Sequence, residues 1–160
     1  MSRMKARDPL SSLDPGGGPI VTPRAVLALV LILGGIAWIA YYYIGVRPGP
    51  DDLDPKTFKP VYDGIGFFGD LKKWNYVIGF GAILLGLVVA AHPSTPLGRG
   101  RGVVVGMLGC FLLGLLWICT YYVFSNDLSD VPVFNDLGQY NLMVGIGLMA
   151  VGFTYATRWE

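Results

Sequence analysis

Four stretches of the chain are apolar almost without interruption, and charged residues are confined to the segments between them. Ala25 to Val46 and Val103 to Phe124 each run for 22 residues with no charge. That is about 33 Å of helix at about 1.5 Å per residue, enough to cross a hydrocarbon core of about 30 Å. Tyr76 to Ala91 and Leu142 to Thr157 are 16 residues each, and Trp74-Asn75 and Tyr140-Asn141 extend both to 18, near the lower limit for a span. The pattern predicts four membrane helices, at about 25–46, 74–91, 103–124 and 140–157.

The pattern also repeats. Gly35-Ile36-Ala37-Trp38-Ile39 with Tyr42-Tyr43 returns 79 residues later as Gly114-Leu115-Leu116-Trp117-Ile118 with Tyr121-Tyr122. Leu71, Asn75, Gly79, Gly81, Gly86 and Ala90 return 66 residues later as Leu137, Asn141, Gly145, Gly147, Gly152 and Ala156. The repeating unit is an apolar helix, a connector and a second apolar helix, and the first connector is 13 residues longer. Such a period defines the unit of folding, here a transmembrane hairpin. The expected fold is an all-α membrane protein, with four transmembrane helices arranged as two tandem two-helix hairpins. Its divisions are a tail over 1–23, hairpins over 24–92 and 103–160, and a linker over 93–102.

Charge placement sets the expected orientation. The charged fraction of 14% is well below the roughly 25% of a soluble protein, and the net charge of +1 says little as a total. Arg3, Lys5, Arg7, Arg24, Arg99, Arg101 and Arg158 fall on one side of the four spans. Arg47, Lys56, Lys59, Lys72 and Lys73 fall on the other, with eight of the eleven acidic residues. Lys and Arg near span ends favour the cytoplasm, so both termini are expected there. Residues 1–23, with Gly16-Gly17-Gly18 and four prolines, read as a disordered basic tail. The first span outruns a signal-peptide core and ends in Tyr41-Tyr42-Tyr43, an interfacial aromatic belt, so it reads as an uncleaved anchor.

Between the first two spans, Leu53, Phe58, Val61, Tyr62, Ile65, Phe67 and Phe68 are many apolar groups for a solvated loop. They predict a short segment lying on the membrane surface or packed on the helix ends, with a reduced version at Val131, Val133, Phe134 and Leu137. Asp51-Asp52-Leu53-Asp54 lacks the spacing of a calcium loop. Cys110 and Cys119 lie nine residues apart on opposite faces of one helix and read as small apolar residues.

No span contains Asp, Glu, Lys, Arg or His, whereas proton- and ion-coupled carriers need an ionisable group in the membrane. His92, the one histidine, has no second ligand at metal spacing. No catalytic constellation or phosphate loop is present. The expectation is a protein that is not an enzyme, with no cofactor, no metal and no nucleic-acid partner. A small four-span transporter or channel, or an anchor subunit of another membrane complex, is the alternative class. What the spans hold is small residues. Gly102, Gly106, Cys110 and Gly114 are spaced by four, Ala82, Gly86 and Ala90 make a second stripe, and Gly152 with Ala156 a shorter one. Such stripes let backbones approach in lipid, either within the chain or in self-association. Asn75 and Asn141 open the second and fourth spans behind the belt residues Trp74 and Tyr140. Each reads as a cap accepting from free helix N–H groups or as a polar contact to another membrane helix.

Trp74-Asn75-Tyr76-Val77-Ile78-Gly79-Phe80, with Gly86 beyond, resembles the opening of the second span in the actinobacterial cell-division protein CrgA family. Asn141, Gly145 and Gly152 repeat it, and Ala156-Thr157-Arg158-Trp159 is similar to the family's ending. Typical members have one pair of spans. Tyr140 stands in place of Trp, and the first copy ends in Ala91-His92-Pro93 without Arg-Trp. The resemblance implies a tandem-duplicated member acting as an adaptor at the septum of the cell membrane. It also implies the family's partners, FtsZ, FtsQ and a septal penicillin-binding transpeptidase.

Overall fold

The computed structural model describes residues 19–49, 52–62, 64–127 and 131–157. Residues 1–18 of the expected tail and the closing Arg158 and Trp159 lie outside the described residues. Six helices follow in order: α1 (Pro23–Gly45), α2 (Gly66–Leu71), α3 (Trp74–Ala90), α4 (Arg101–Val123), α5 (Phe134–Leu137) and α6 (Tyr140–Ala156). There is no strand among the described residues, only an isolated antiparallel bridge between Leu53 and Pro60.

The ends of the long helices follow from local chemistry. Thr22 sits extended before α1, and its hydroxyl accepts from the Ala25 N–H at 3.1 Å, with Pro23 in the first turn. This is a favoured helix start, because the hydroxyl satisfies a free N–H and proline needs none. Beyond α3, the buried Thr95 hydroxyl donates to the carbonyls of Ala90 and His92 and accepts from the Gly98 N–H. The linker is thereby folded into successive turns before Gly100, at φ +52°, leads into α4.

Two helix pairs build the molecule: α1 packs on α3, α4 packs on α6, and the pairs meet along α3 and α6. Each pair crosses backbone against backbone. A Cβ added to Gly35 would lie 2.5 Å from the Gly79 carbonyl oxygen, and one added to Gly79 would strike Ile39. In the second pair, a Cβ on Gly114 would lie 2.6 Å from the Gly145 carbonyl oxygen, and one on Gly145 would strike Ile118. Gly35 and Gly114 match at the 79-residue offset and Gly79 and Gly145 at the 66-residue offset. The same crossing therefore occurs twice.

The faces turned away from these crossings are apolar and open. Leu29, Val30 and Leu33 on α1, and Leu112, Leu113 and Leu116 on α4, are each more than half exposed. Both helices are 23 residues long and apolar enough to cross a membrane, yet only 22% of the apolar window of each is buried. A core helix of a soluble protein would be covered, and a soluble surface does not carry apolar patches of this extent. The surface is that of a membrane protein. At 17 residues, α3 and α6 are shorter and equally apolar.

Because the added methyl would meet backbone rather than a movable side chain, Gly35→Ala should destabilise the protein by about 1–3 kcal/mol, the usual cost of overpacking. Gly34→Ala, where a Cβ would meet nothing within 4 Å, should change little. Thermal unfolding of both variants in detergent distinguishes them; equal melting would remove the crossing as the basis of the hairpin.

Candidate functional site

A cluster of buried and partly buried polar contacts lies at the end of the bundle where the connectors return. In each half, a short helix turns the chain back into the second long helix: α2 before α3, and α5 before α6. Phe68 of α2 lies on Trp38, with ring centroids 4.5 Å apart, and Phe134 of α5 stacks on Trp117 at 4.4 Å. These are matching pairs, and they place the apolar connector segments on the helix ends, as their composition suggests.

Asn75 and Asn141 are fully buried at this turn. The Asn75 amide donates to the carbonyls of Phe68 and Lys72 at 2.8 and 2.9 Å, and the Asn141 amide donates to those of Phe134 and Gly138 at 2.9 and 2.8 Å. The role differs from that of an N-terminal cap: neither side chain accepts from its helix. The Lys72 and Gly138 carbonyls also accept the backbone N–H of the same asparagine at 3.2 Å, so side chain and main chain of each asparagine together tie the turn to the short helix before it. Each half also leaves the same two buried atoms without a hydrogen-bond partner among the described residues: Trp38 Nε1 with Asn75 Oδ1, and Trp117 Nε1 with Asn141 Oδ1.

The halves are joined here by a clasp that does not repeat. Asp136 of α5 accepts from the Arg47 guanidinium at 3.0 Å through one carboxylate oxygen and from the Tyr76 hydroxyl at 2.7 Å through the other. Arg47 also donates to Asn135 Oδ1 at 3.2 Å and lies 4.4 Å from the Tyr43 ring centroid. Partial burial works against the Arg47 charge, but the Asp136 carboxylate together with Tyr43 and Tyr76 outweighs it, so the guanidinium pKa lies above its ordinary value. At the positions matching Arg47 and Tyr76 the second half carries Asn126 and Leu142, and the matching carboxylate, Asp70, is exposed. At the opposite end of the bundle, the Tyr155 hydroxyl donates across the halves to the Leu87 carbonyl at 2.9 Å.

The small-residue positions divide by role. Gly114 serves the α4–α6 crossing. Gly106 underlies the Tyr155 ring, and Gly86 and Gly152 lie against Ile32 and Phe111 respectively. Gly102 does not continue the stripe: a Cβ there would strike the Pro96 carbonyl of the linker, since the chain doubles back beside the first turn of α4. Trp74 and Tyr140 are about two-thirds exposed, at matching places. Arg47, Asp136, Tyr155 and the Gly35–Gly79 pair escape the sequence reading. The glycines could have been found, since they recur in the repeat; the clasp joins residues 89 apart in the chain and carries no local signal.

Replacing Asn75 by Leu removes two partly buried hydrogen bonds, each worth about 0.5–1.5 kcal/mol net, and should destabilise the protein by about that sum. Asn75→Asp, which offers an acceptor instead, should destabilise as well; stability retained in Asn75→Asp would exclude the donor role. For the clasp, a double-mutant cycle of Arg47→Gln and Asp136→Asn should give a coupling of about 1 kcal/mol, since both groups are partly exposed. A coupling of zero would reduce the pair to proximity.

A family model described as cell division protein CrgA matches residues 14–92 and again 95–160. The cell division protein CrgA of Streptomyces avermitilis is 39% identical over 64 residues, covering 40% of this chain and 71% of that protein. The cell division protein CrgA of Corynebacterium aurimucosum is 32% identical over 63 residues, covering 39% of this chain and 66% of that protein. No solved structure matches the chain. With two family matches covering most of its length, the chain belongs to the CrgA family of cell division proteins.

Proposed function

We propose that this protein is a four-span, non-enzymatic adaptor of cell division, built from two tandem CrgA-like hairpins fused into the equivalent of a dimer. Both hairpins would have the same orientation, with the termini and the linker on the cytoplasmic side. The observation that carries the adaptor reading is where its polar groups lie. The spans hold no Asp, Glu, Lys, Arg or His, and the main polar contacts at the connector end hold the fold together. What remains free is surface: apolar helix faces toward lipid or partner helices, and the loop over 52–62.

That loop is shaped for display. Asp54 accepts from the backbone N–H groups of Lys56 and Thr57, which hold its carboxyl below the usual carboxylate range. The turn carries Phe58 at φ +52° with 78% of its surface exposed. On the family's pattern, the membrane partners would be FtsQ and a septal penicillin-binding transpeptidase. FtsZ would be reached through the N-terminal tail. Coordination of the FtsZ ring with septal wall synthesis is the activity this reading assigns, with septal enrichment in the cell membrane.

A fluorescent fusion should concentrate at septa, and deletion should change septum placement or frequency. A uniform membrane signal with unchanged septation would exclude the adaptor role. Orientation is checked separately in a Cys110→Ala, Cys119→Ala background. An impermeant thiol reagent should label Thr57→Cys in intact cells and spare Ser94→Cys; the reverse would invert the topology.

A further inference from the structure

Between α3 and α6, at the connector end, lies a slot of about 510 Å³, within the size range of small-molecule sites. Its walls are apolar, including Phe80 and Gly81, and its mouth is flanked by the belt residues Trp74 and Tyr140. Two charged groups line it. Asp136 is already engaged by Arg47 and Tyr76, whereas Lys73 has no ion-pair partner among the described residues. Both flanking helices begin here without a side-chain cap, so their positive ends add to the lysine's field.

A second observation comes from the adjoining Lys72. Its backbone stands at φ +46°, ψ −128°, and the matching residue of the other half, Gly138, stands at φ +51°, ψ −124°. The two turns are the same, and glycine takes this conformation without penalty while a lysine is strained in it. The first half therefore keeps a charged side chain where the local backbone favours glycine. Strain held at one of two otherwise equivalent turns points to a use for the side chain, and Lys72 directly precedes the lysine that lines the slot.

We propose that this slot holds one anionic phospholipid, with an acyl chain against Phe80 and Gly81 and the phosphate on Lys73 and Lys72. Trp74 and Tyr140 would fix the depth, since such rings sit at headgroup level. The second half, with Gly138 and Gln139 at the matching positions, lacks the cationic pair, so the molecule takes a single lipid. The proposal rests on the spanning arrangement above.

The test is native mass spectrometry of the full chain released from nanodiscs of equal phosphatidylglycerol and phosphatidylcholine. The wild type should retain phosphatidylglycerol several-fold over phosphatidylcholine, and Lys73→Gln should bring the ratio near one. Gly81→Leu, at a site where an added Cβ meets nothing within 4 Å, should fill the slot and release both lipids without unfolding. Lys72→Gly should lower the preference while raising the melting temperature, a combination that a purely structural lysine would not produce. Equal retention of the two lipids by the wild type, or an unchanged ratio in Lys73→Gln, would overturn the proposal while leaving the adaptor reading intact. Failure to insert into the nanodisc at all would overturn the spanning arrangement and this site with it.

Discussion

Contact of backbone with backbone at the glycine crossings is the constraint on which the rest of the structure depends. In lipid, apolar side chains gain nothing by leaving their surroundings for one another, so helices associate through close dispersion contacts and the few polar bonds they can make. Gly35 on Gly79 and Gly114 on Gly145 bring each helix pair close enough for Ile39 and Ile118 to lie across the facing glycine. Once the crossing is fixed, the positions of Trp38 and Trp117 near the helix ends are fixed too. The connectors must then return over those rings, and that is where Phe68 and Phe134 lie.

From that geometry the polar chemistry follows. A chain that folds back through a helix of six or four residues has few hydrogen bonds of its own to hold the turn. A donor beside the buried rings does this best if it brings no charge with it. Asparagine three residues beyond the turn supplies two N–H groups from one neutral side chain. Placing the ionic contact elsewhere, at Arg47 and Asp136, keeps it partly exposed, where the desolvation of a fully buried pair is avoided.

How much of this the sequence discloses depends on the range of the interaction. Span length and apolarity are additive along the chain, and the long helices lie within two residues of the apolar segments at each end. Gly106, Cys110 and Gly114 of the stripe on α4 are buried. Spacing within one helix does not say what that face meets, so Gly102 reads as a fourth member although it touches its own linker. The asparagines are conspicuous because they repeat, but the direction of their hydrogen bonds depends on α2 and α5, which are too short to show a period. The Arg47–Asp136 contact spans the two halves, and nothing near either residue announces the other.

The contacts between the halves bear on what the proposed duplication of a hairpin would gain. An isologous dimer makes every contact twice, so each subunit must carry both the donor and the acceptor of any polar bond across the axis. In this chain the bonds have become one-sided. Arg47 and Tyr76 donate from the first half to Asp136 of the second, and Tyr155 donates from the second to Leu87 of the first. Their counterparts Asn126, Leu142 and Val89 can make none of these bonds with the same geometry. The losses cost little, because on the tandem reading the covalent linker already holds the halves at high effective concentration. Freed from having to serve both roles, the first half keeps the long loop and the paired lysines, while the second takes the relaxed glycine turn at Gly138. On the proposed reading, fusion would turn a symmetry requirement into two separate surfaces, and a proposed adaptor would have use for faces that differ.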